Sequence, residues 1–88
     1  MKLLSNNQQL YDYLVCLSAE LKNRGAGELS EEILFASRHA SGMSTEFLGE
    51  SRISLRRVLQ YGRDILTDRE QDEIQDVLRQ LDRALDKR

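Results

Sequence analysis

Apolar residues recur at every third or fourth position along most of this chain, which is the spacing of amphipathic helices. The clearest case predicts a first helix over residues 6–24, with Ser5 and Gln8 at capping-box spacing near its start. The segment Gly25-Ala26-Gly27 predicts its end, because glycine readily adopts the left-handed conformation that follows many helices. The apolar seam of this helix consists of Leu10, Leu14, Leu17 and Leu21.

Two helices are predicted in the middle of the chain. The first covers residues 30–40, with Ser30 as the N-cap, and its apolar side consists of Leu29, Ile33, Ala36 and Ala40. The second covers residues 44–61 and places one set of residues in a sector about 120° wide, which we expect to face the core. That set is Phe47, Leu48, Ser51, Leu55, Val58, Leu59 and Gly62.

A fourth helix is predicted over residues 68–86. Thr67 and Glu70 have capping-box spacing, which predicts the start of this helix. A second leucine-rich seam follows, formed by Ile74, Leu78, Leu81 and Leu85. Since the chain contains no proline and hardly any alternation of apolar and polar residues, we predict an all-α fold, a compact four-helix array or irregular bundle, with residues 1–88 as a single domain.

The size and charge of the chain restrict its function. A domain of 88 residues buries only roughly 60–65% of its unfolded surface, so its core is thin and dimerisation is a common way to complete it. The formal net charge of −2 argues against a dedicated nucleic-acid-binding domain. Cys16 is the single cysteine, and we expect it to be a buried, small apolar residue in a reducing compartment.

The chain shows no targeting or membrane signal. Its first residues hold only two consecutive leucines, too few for the apolar region of a signal peptide. No apolar run approaches the roughly 20 residues of a membrane span. These observations predict a cytoplasmic protein that does not use a membrane.

The segment 51–63 contains four arginines and no acidic residue. On a helical wheel, Arg52, Arg56 and Arg63 form one narrow stripe beside the core face, whereas Arg57 lies elsewhere. Because arginine binds carboxylate and phosphate groups with two donors, the stripe suits an acidic protein partner or, less well, a nucleic-acid backbone. The alternative is that these arginines pair with carboxylates of the fourth helix, such as Asp72, Glu73 or Asp76.

Two large apolar residues fall opposite the predicted core faces. Phe35 points away from the apolar side of the second helix, and Ile53 lies opposite the core sector of the third. Together they indicate a second apolar surface, which favours self-association as a homodimer. The alternative is a monomer whose other segments cover both residues.

The candidates for catalysis are weak. His39 shares one side of the second helix with Phe35, Glu28 and Glu32, an arrangement that suits a surface or interface histidine better than a metal or acid–base site. No glycine-rich phosphate loop or nucleophile elbow is present in the sequence. We therefore expect no enzymatic activity, no cofactor and no metal.

One local resemblance concerns the end of the chain. The segment LTDREQDEIQDVLRQLDRAL, residues 66–85, resembles the final dimerisation helix of MarR-type regulators, which begins with Leu-Thr and continues with acidic residues and paired leucines. The resemblance implies a helix suited to pairing with other helices. The winged helix-turn-helix of those regulators has no counterpart here, so neither DNA binding nor a ligand site is carried over.

These observations predict a small helical module for protein–protein interaction, in the manner of an adaptor, an inhibitor or an immunity-type partner. The predicted partner-binding residues are Arg52, Arg56, Arg63, Phe35 and Ile53. The alternative function is a nucleic-acid-associated regulator that uses the stripe of Arg52, Arg56 and Arg63.

Overall fold

Four α-helices account for most of the chain in the computed structural model, which describes residues 7–38 and 44–86. They are α1 (Asn7–Asn23), α2 (Gly27–Ser37), α3 (Ser44–Tyr61) and α4 (Asp68–Asp86), and the described residues include no strand. The predicted all-α four-helix array is therefore confirmed. α2 packs against both α1 and α3, and α3 packs against α4.

The helix bounds agree with the sequence pattern except in α2. This helix begins at Gly27, three residues before the predicted start. Ser30 is not its N-cap: the side chain is buried, and its Oγ donates a hydrogen bond to the Ser18 carbonyl oxygen of α1 at 2.9 Å. A capping serine and a serine that joins two packed helices have the same sequence signature, so the tertiary contact decided between them. The predicted end at Ala40 lies outside the described residues, as does the capping box at Ser5.

The end of α1 was predicted correctly and has the geometry of a Schellman motif. Gly25 has a φ of +84°, the left-handed conformation that side chains with a Cβ disfavour. The amide of Ala26 donates to the Leu21 carbonyl at 2.8 Å, and the amide of Gly25 donates to the Lys22 carbonyl at 3.1 Å. These bonds satisfy carbonyl groups that the helix end leaves free and turn the chain sharply into α2.

The core is formed by the predicted apolar faces. All four leucines of the α1 seam are buried, and Phe47 at the start of α3 is completely buried. In α4 the core face is turned slightly from the predicted seam: Val77 is buried, whereas Leu78 and Leu85 are half-buried. The buried hydrophobic residues are Leu10, Leu14, Leu17, Leu21, Ile33, Ala36, Phe47, Leu55, Val58, Leu66, Ile74, Val77 and Leu81.

The start of α4 confirms the predicted capping box and adds a tertiary contact. The Glu70 amide donates to Thr67 Oγ1 at 3.1 Å, and the Thr67 amide donates to Glu70 Oε1 at 2.9 Å. Arg24, at the end of α1, donates from Nη1 to Oε1 and from Nη2 to Oε2 of Glu70, the second bond at 2.8 Å. Arg24 also donates to the Ile65 carbonyl at 3.1 Å. One carboxylate therefore caps α4 and ties it to α1.

We expect this contact to make the stability of the protein fall in acid. The bonds from Arg24, followed by the Thr67 amide, lower the pKa of Glu70 from 4.5 to about 2 in the folded state. Because the folded-state pKa is the lower one, the stabilisation is complete above pH 4.5 and is lost as the pH falls towards 2. In urea denaturation, wild type should have a higher free energy of unfolding than Glu70→Gln at neutral pH. This difference should shrink as the pH falls from 4.5 towards 2. A difference that stays constant down to pH 2 would contradict this assignment.

Candidate functional site

Three of the four large apolar side chains that are exposed in the described residues lie on α2 and α3. Phe35 is 56% exposed, Ile53 51% and Tyr61 69%; the fourth, Tyr11 of α1, is 37% exposed. The outward position of Phe35 and Ile53 agrees with their places on the helical wheel. Phe35 is two residues, or about 200°, from buried Ile33, and Ile53 is two residues from buried Ser51 and Leu55.

These side chains line a groove between α2 and α3. A cavity of about 450 Å³ at one end includes Phe35 and Ile53 among its walls, and an adjoining cavity of about 700 Å³ includes Glu28 and Tyr61. Both cavities share Glu32 and Arg57, so we treat them as one feature, the α2–α3 groove. Its lining residues are Gly25, Ala26, Gly27, Glu28, Leu29, Glu31, Glu32, Phe35, Glu50, Ile53, Ser54, Arg57, Tyr61 and Ile65.

The helices that form the groove run antiparallel. Phe35, near the end of α2, shares a cavity with Ile53, in the middle of α3. Glu28, at the start of α2, shares a cavity with Tyr61, the last residue of α3. Later residues of α2 therefore meet earlier residues of α3. Phe35 and Ile53, which the sequence could place only on separate helices, come to line one cavity.

An ion pair crosses the groove between its two halves. Arg57 Nη1 donates to Glu32 Oε1 at 2.9 Å, and Ser54 Oγ donates to the Glu32 carbonyl oxygen at 3.2 Å. Oε2 of Glu32 is buried and accepts no hydrogen bond from the described residues.

The rim of the groove carries both signs of charge. Glu31 and Glu50 are on the wall that holds Phe35 and Ile53, and Arg57 stands beside them. Arg38, exposed just past the end of α2, lies one turn beyond Phe35. Exposed apolar side chains bordered by charged ones are a usual composition of a protein–protein contact surface.

The predicted arginine stripe is divided by the structure. Arg52 Nη1 and Arg56 Nη2 both contact Asp82 Oδ1, at 3.1 and 3.3 Å. Arg63 lies in the turn after α3 and forms no ion pair with the described residues. The structure thus brings Arg52 and Arg56 together on a carboxylate of α4 and leaves Arg63 apart.

The partner of Arg52 and Arg56 on α4 differs from the residues suggested by the sequence, Asp72, Glu73 and Asp76. It is Asp82, near the other end of the helix. Arg63 meets the start of α4 through its carbonyl oxygen, which accepts from Gln71 Nε2 at 3.3 Å, so α3 and α4 also run antiparallel. The first half of α3 therefore lies beside the second half of α4, which the sequence pattern of either helix does not reveal.

The predictions made for Cys16 and His39 add little to the candidate site. Cys16 is exposed, so the expectation of a buried thiol was wrong. It follows buried Leu14 by two residues, which turns it away from the leucine seam. It lines a cavity of about 200 Å³ with Tyr13, whose pKa is raised by burial and by Glu73 and Glu70. His39 lies outside the described residues, so its predicted grouping with Phe35, Glu28 and Glu32 stays a prediction.

Of the groove residues, the sequence pattern had indicated only Phe35 and Ile53 for partner binding, and Tyr61 and Arg57 are among those that it missed. Both were visible as part of a helical series: Arg57 follows Ile53 by four residues, and Tyr61 follows Arg57 by four. Arg57 had been separated correctly from the stripe of Arg52, Arg56 and Arg63. Its role in bridging the groove to Glu32 became visible only in the structure.

Comparison with protein-family models, curated proteins and solved structures found no match to this chain. None of the helices in the described residues combines the length and apolarity needed to cross a bilayer. Within the same residues, no three His, Cys, Asp or Glu side chains come together in a way that would hold a metal ion.

Proposed function

We propose that this protein is a small interaction module that binds a protein partner through the α2–α3 groove. The observation that carries the proposal is the concentration of Phe35, Ile53 and Tyr61, three of the four exposed large apolar side chains in the described residues, along one groove. Scattered exposed apolar residues need no explanation, but their concentration along one groove beside charged residues is typical of a binding surface. A cytoplasmic location is part of the same proposal.

The free energy of burying apolar surface favours the groove over the arginine stripe as the binding surface. Side chains of this kind bury about 150–250 Å² each, and each Å² of apolar surface removed from water contributes about 25 cal/mol. Covering the exposed fractions of Phe35, Ile53 and Tyr61 would therefore contribute several kcal/mol. Arg52 and Arg56 already share Asp82, and exposed ion pairs contribute at most about 1 kcal/mol each.

Capture from a lysate of the source cell tests which surface binds. We expect Phe35→Ala/Ile53→Ala to lose a partner that wild type retains. Tyr11→Ala is the matched control, because Tyr11 is exposed on α1 and does not line the groove. Circular dichroism should show that all variants are folded. Retention of the same partners by the double variant would refute the proposal.

A separate binding experiment tests the nucleic-acid alternative. Binding of DNA or RNA at low ionic strength, with a steep loss as salt increases and a further loss in Arg52→Ala/Arg56→Ala, would favour the alternative. Our proposal expects no such binding. Adaptors, inhibitors and immunity-type partners would all depend on the groove, so the identity of the captured protein separates these roles.

A further inference from the structure

We infer that the partner at the α2–α3 groove is a second copy of this chain, related by a two-fold axis that crosses the groove at Phe35 and Ile53. The inference rests on the proposed function and names the occupant of the same groove. In this arrangement the two α3 helices meet antiparallel, as do the two α2 helices. The order of charges along each helix supports this arrangement.

The outward side of α3 is acidic, then apolar, then basic. Glu50 precedes Ile53 by three residues, and Arg57 follows it by four. At about 100° per residue, both charged residues lie within about 60° of Ile53 on the helix surface. All three line the same cavity.

The outward side of α2 repeats this order. Glu31 precedes Phe35 by four residues, and Arg38 follows it by three. All three are exposed and lie within about 60° of one another on a helical wheel. Each helix of the groove thus has a large apolar side chain between a carboxylate and a guanidinium group.

A two-fold axis through the apolar residues pairs opposite charges on both helices. With a rise of 1.5 Å per residue, Glu50 lies about 4.5 Å before Ile53 and Arg57 about 6 Å after it. Rotation about the axis brings Glu50 of one copy within about 1.5 Å, along the helix, of Arg57 of the other. The same rotation pairs Glu31 with Arg38. At the centre, Ile53 then packs against Ile53 of the second copy, and Phe35 packs against Phe35 of the second copy.

Charge order also distinguishes a second copy from a foreign helix. A uniformly acidic helix would be repelled by Glu28, Glu31 and Glu50, and a basic residue fits beside those carboxylates but not beside Arg38 or Arg57. A partner with the reversed order satisfies both ends, and an antiparallel second copy has that order. Isologous two-fold dimers are also the commonest assembly of soluble proteins.

The dimensions of this surface predict a dissociable dimer. The 18 residues of α3 extend about 27 Å, and two neighbouring helices are roughly 20 Å wide, which gives a face of roughly 500 Å². This is below the roughly 800 Å² per partner of a standard stable interface. We therefore expect micromolar rather than nanomolar association.

Sedimentation equilibrium with charge-reversed variants tests the inference. Wild type should dimerise across the micromolar range, while Glu50→Lys alone and Arg57→Glu alone should each raise the dissociation constant at least tenfold. In an equimolar mixture of the two variants, Lys at position 50 faces Glu at position 57 at one end, and the native pair forms at the other. The mixture should therefore dimerise as well as wild type. Asp72→Lys, on the exposed side of α4, is the control and should dimerise normally.

A second pair of variants protects the test against misfolding. Arg57→Glu loses the ion pair with Glu32 and places two carboxylates together, so it is the variant at risk. Glu31→Lys and Arg38→Glu apply the same logic on α2, and their mixture should also restore dimerisation. A two-fold axis that ran along the groove would instead pair Glu31 with Arg57. In that arrangement neither mixture would recover dimerisation.

The outcomes separate this inference from the proposed function. A wild-type protein that stays monomeric up to millimolar concentration overturns the second copy as occupant, and so does a dimer that the four charge reversals leave unchanged. If another protein is still captured in a manner that depends on Phe35 and Ile53, the groove remains the binding surface. If neither association is found, both proposals fail.

Discussion

Replacing Phe47 by alanine should lower the free energy of unfolding by about 3–5 kcal/mol. Phe47 is completely buried at the start of α3, where its ring belongs to the core shared by all four helices. Truncation removes the transfer free energy of the ring and leaves a cavity that close-packed neighbours fill only partly. A domain of this size is stabilised by only about 5–15 kcal/mol, so this loss is a large part of the total.

Phe35→Ala is the matched control for this prediction, because the chain has only two phenylalanines. Phe35 is 56% exposed, and we expect its truncation to change the stability of the monomer by no more than about 0.5 kcal/mol. Chemical denaturation followed by circular dichroism, in dilute solution where a weak dimer dissociates, measures both variants. If the two substitutions lowered the free energy of unfolding equally, the result would contradict both the burial of Phe47 and the exposure of Phe35.

Gly62→Ala should lower the free energy of unfolding by about 1–3 kcal/mol, although alanine usually favours helices over glycine. A Cβ at position 62 would lie 2.8 Å from the Val58 carbonyl oxygen and 3.1 Å from Leu29 Cδ1. The first of these neighbours is backbone, which cannot move aside without disturbing the end of α3. The Gly62 amide also donates to that same Val58 carbonyl at 2.8 Å, so the whole helix end would be strained.

Gly49→Ala, inside α3, provides the opposite expectation. A Cβ at position 49 meets no atom within 4 Å, and the backbone around it is helical. Alanine there should stabilise the protein by about 0.5–1 kcal/mol, because glycine loses more conformational freedom on folding. Thermal melts of both variants give the comparison. A gain in stability for Gly62→Ala would show that the end of α3 tolerates a side chain.

Much of the fold follows from local sequence patterns. The leucine seam of α1, the core sector of α3 and the capping box at Thr67 are each properties of a few residues near one another in sequence. They were predicted because a helix places residues three and four apart on one side whatever surrounds it. The start of α2 was predicted wrongly, since Ser30 acts as a contact to Ser18 of another helix and not as a local cap.

The candidate site was predictable only in part. Phe35 and Ile53 could be recognised as facing away from the core, because each helix defines its own inner and outer sides. That they line one groove depends on the antiparallel packing of α2 against α3. The pairing of Arg52 and Arg56 with Asp82 likewise depends on which half of α4 lies beside α3.

The sequence by itself therefore determined that the chain forms four helices and most of their inward and outward faces, because these follow from the periodicity of the chain. The tertiary structure decided which outward faces meet. It joined Phe35 with Ile53 and Tyr61, placed the Glu32–Arg57 ion pair across the groove, and assigned Arg52 and Arg56 to Asp82. The physical reason is that the offset and rotation of one helix against another are set by side-chain packing across the whole core, which no single segment encodes.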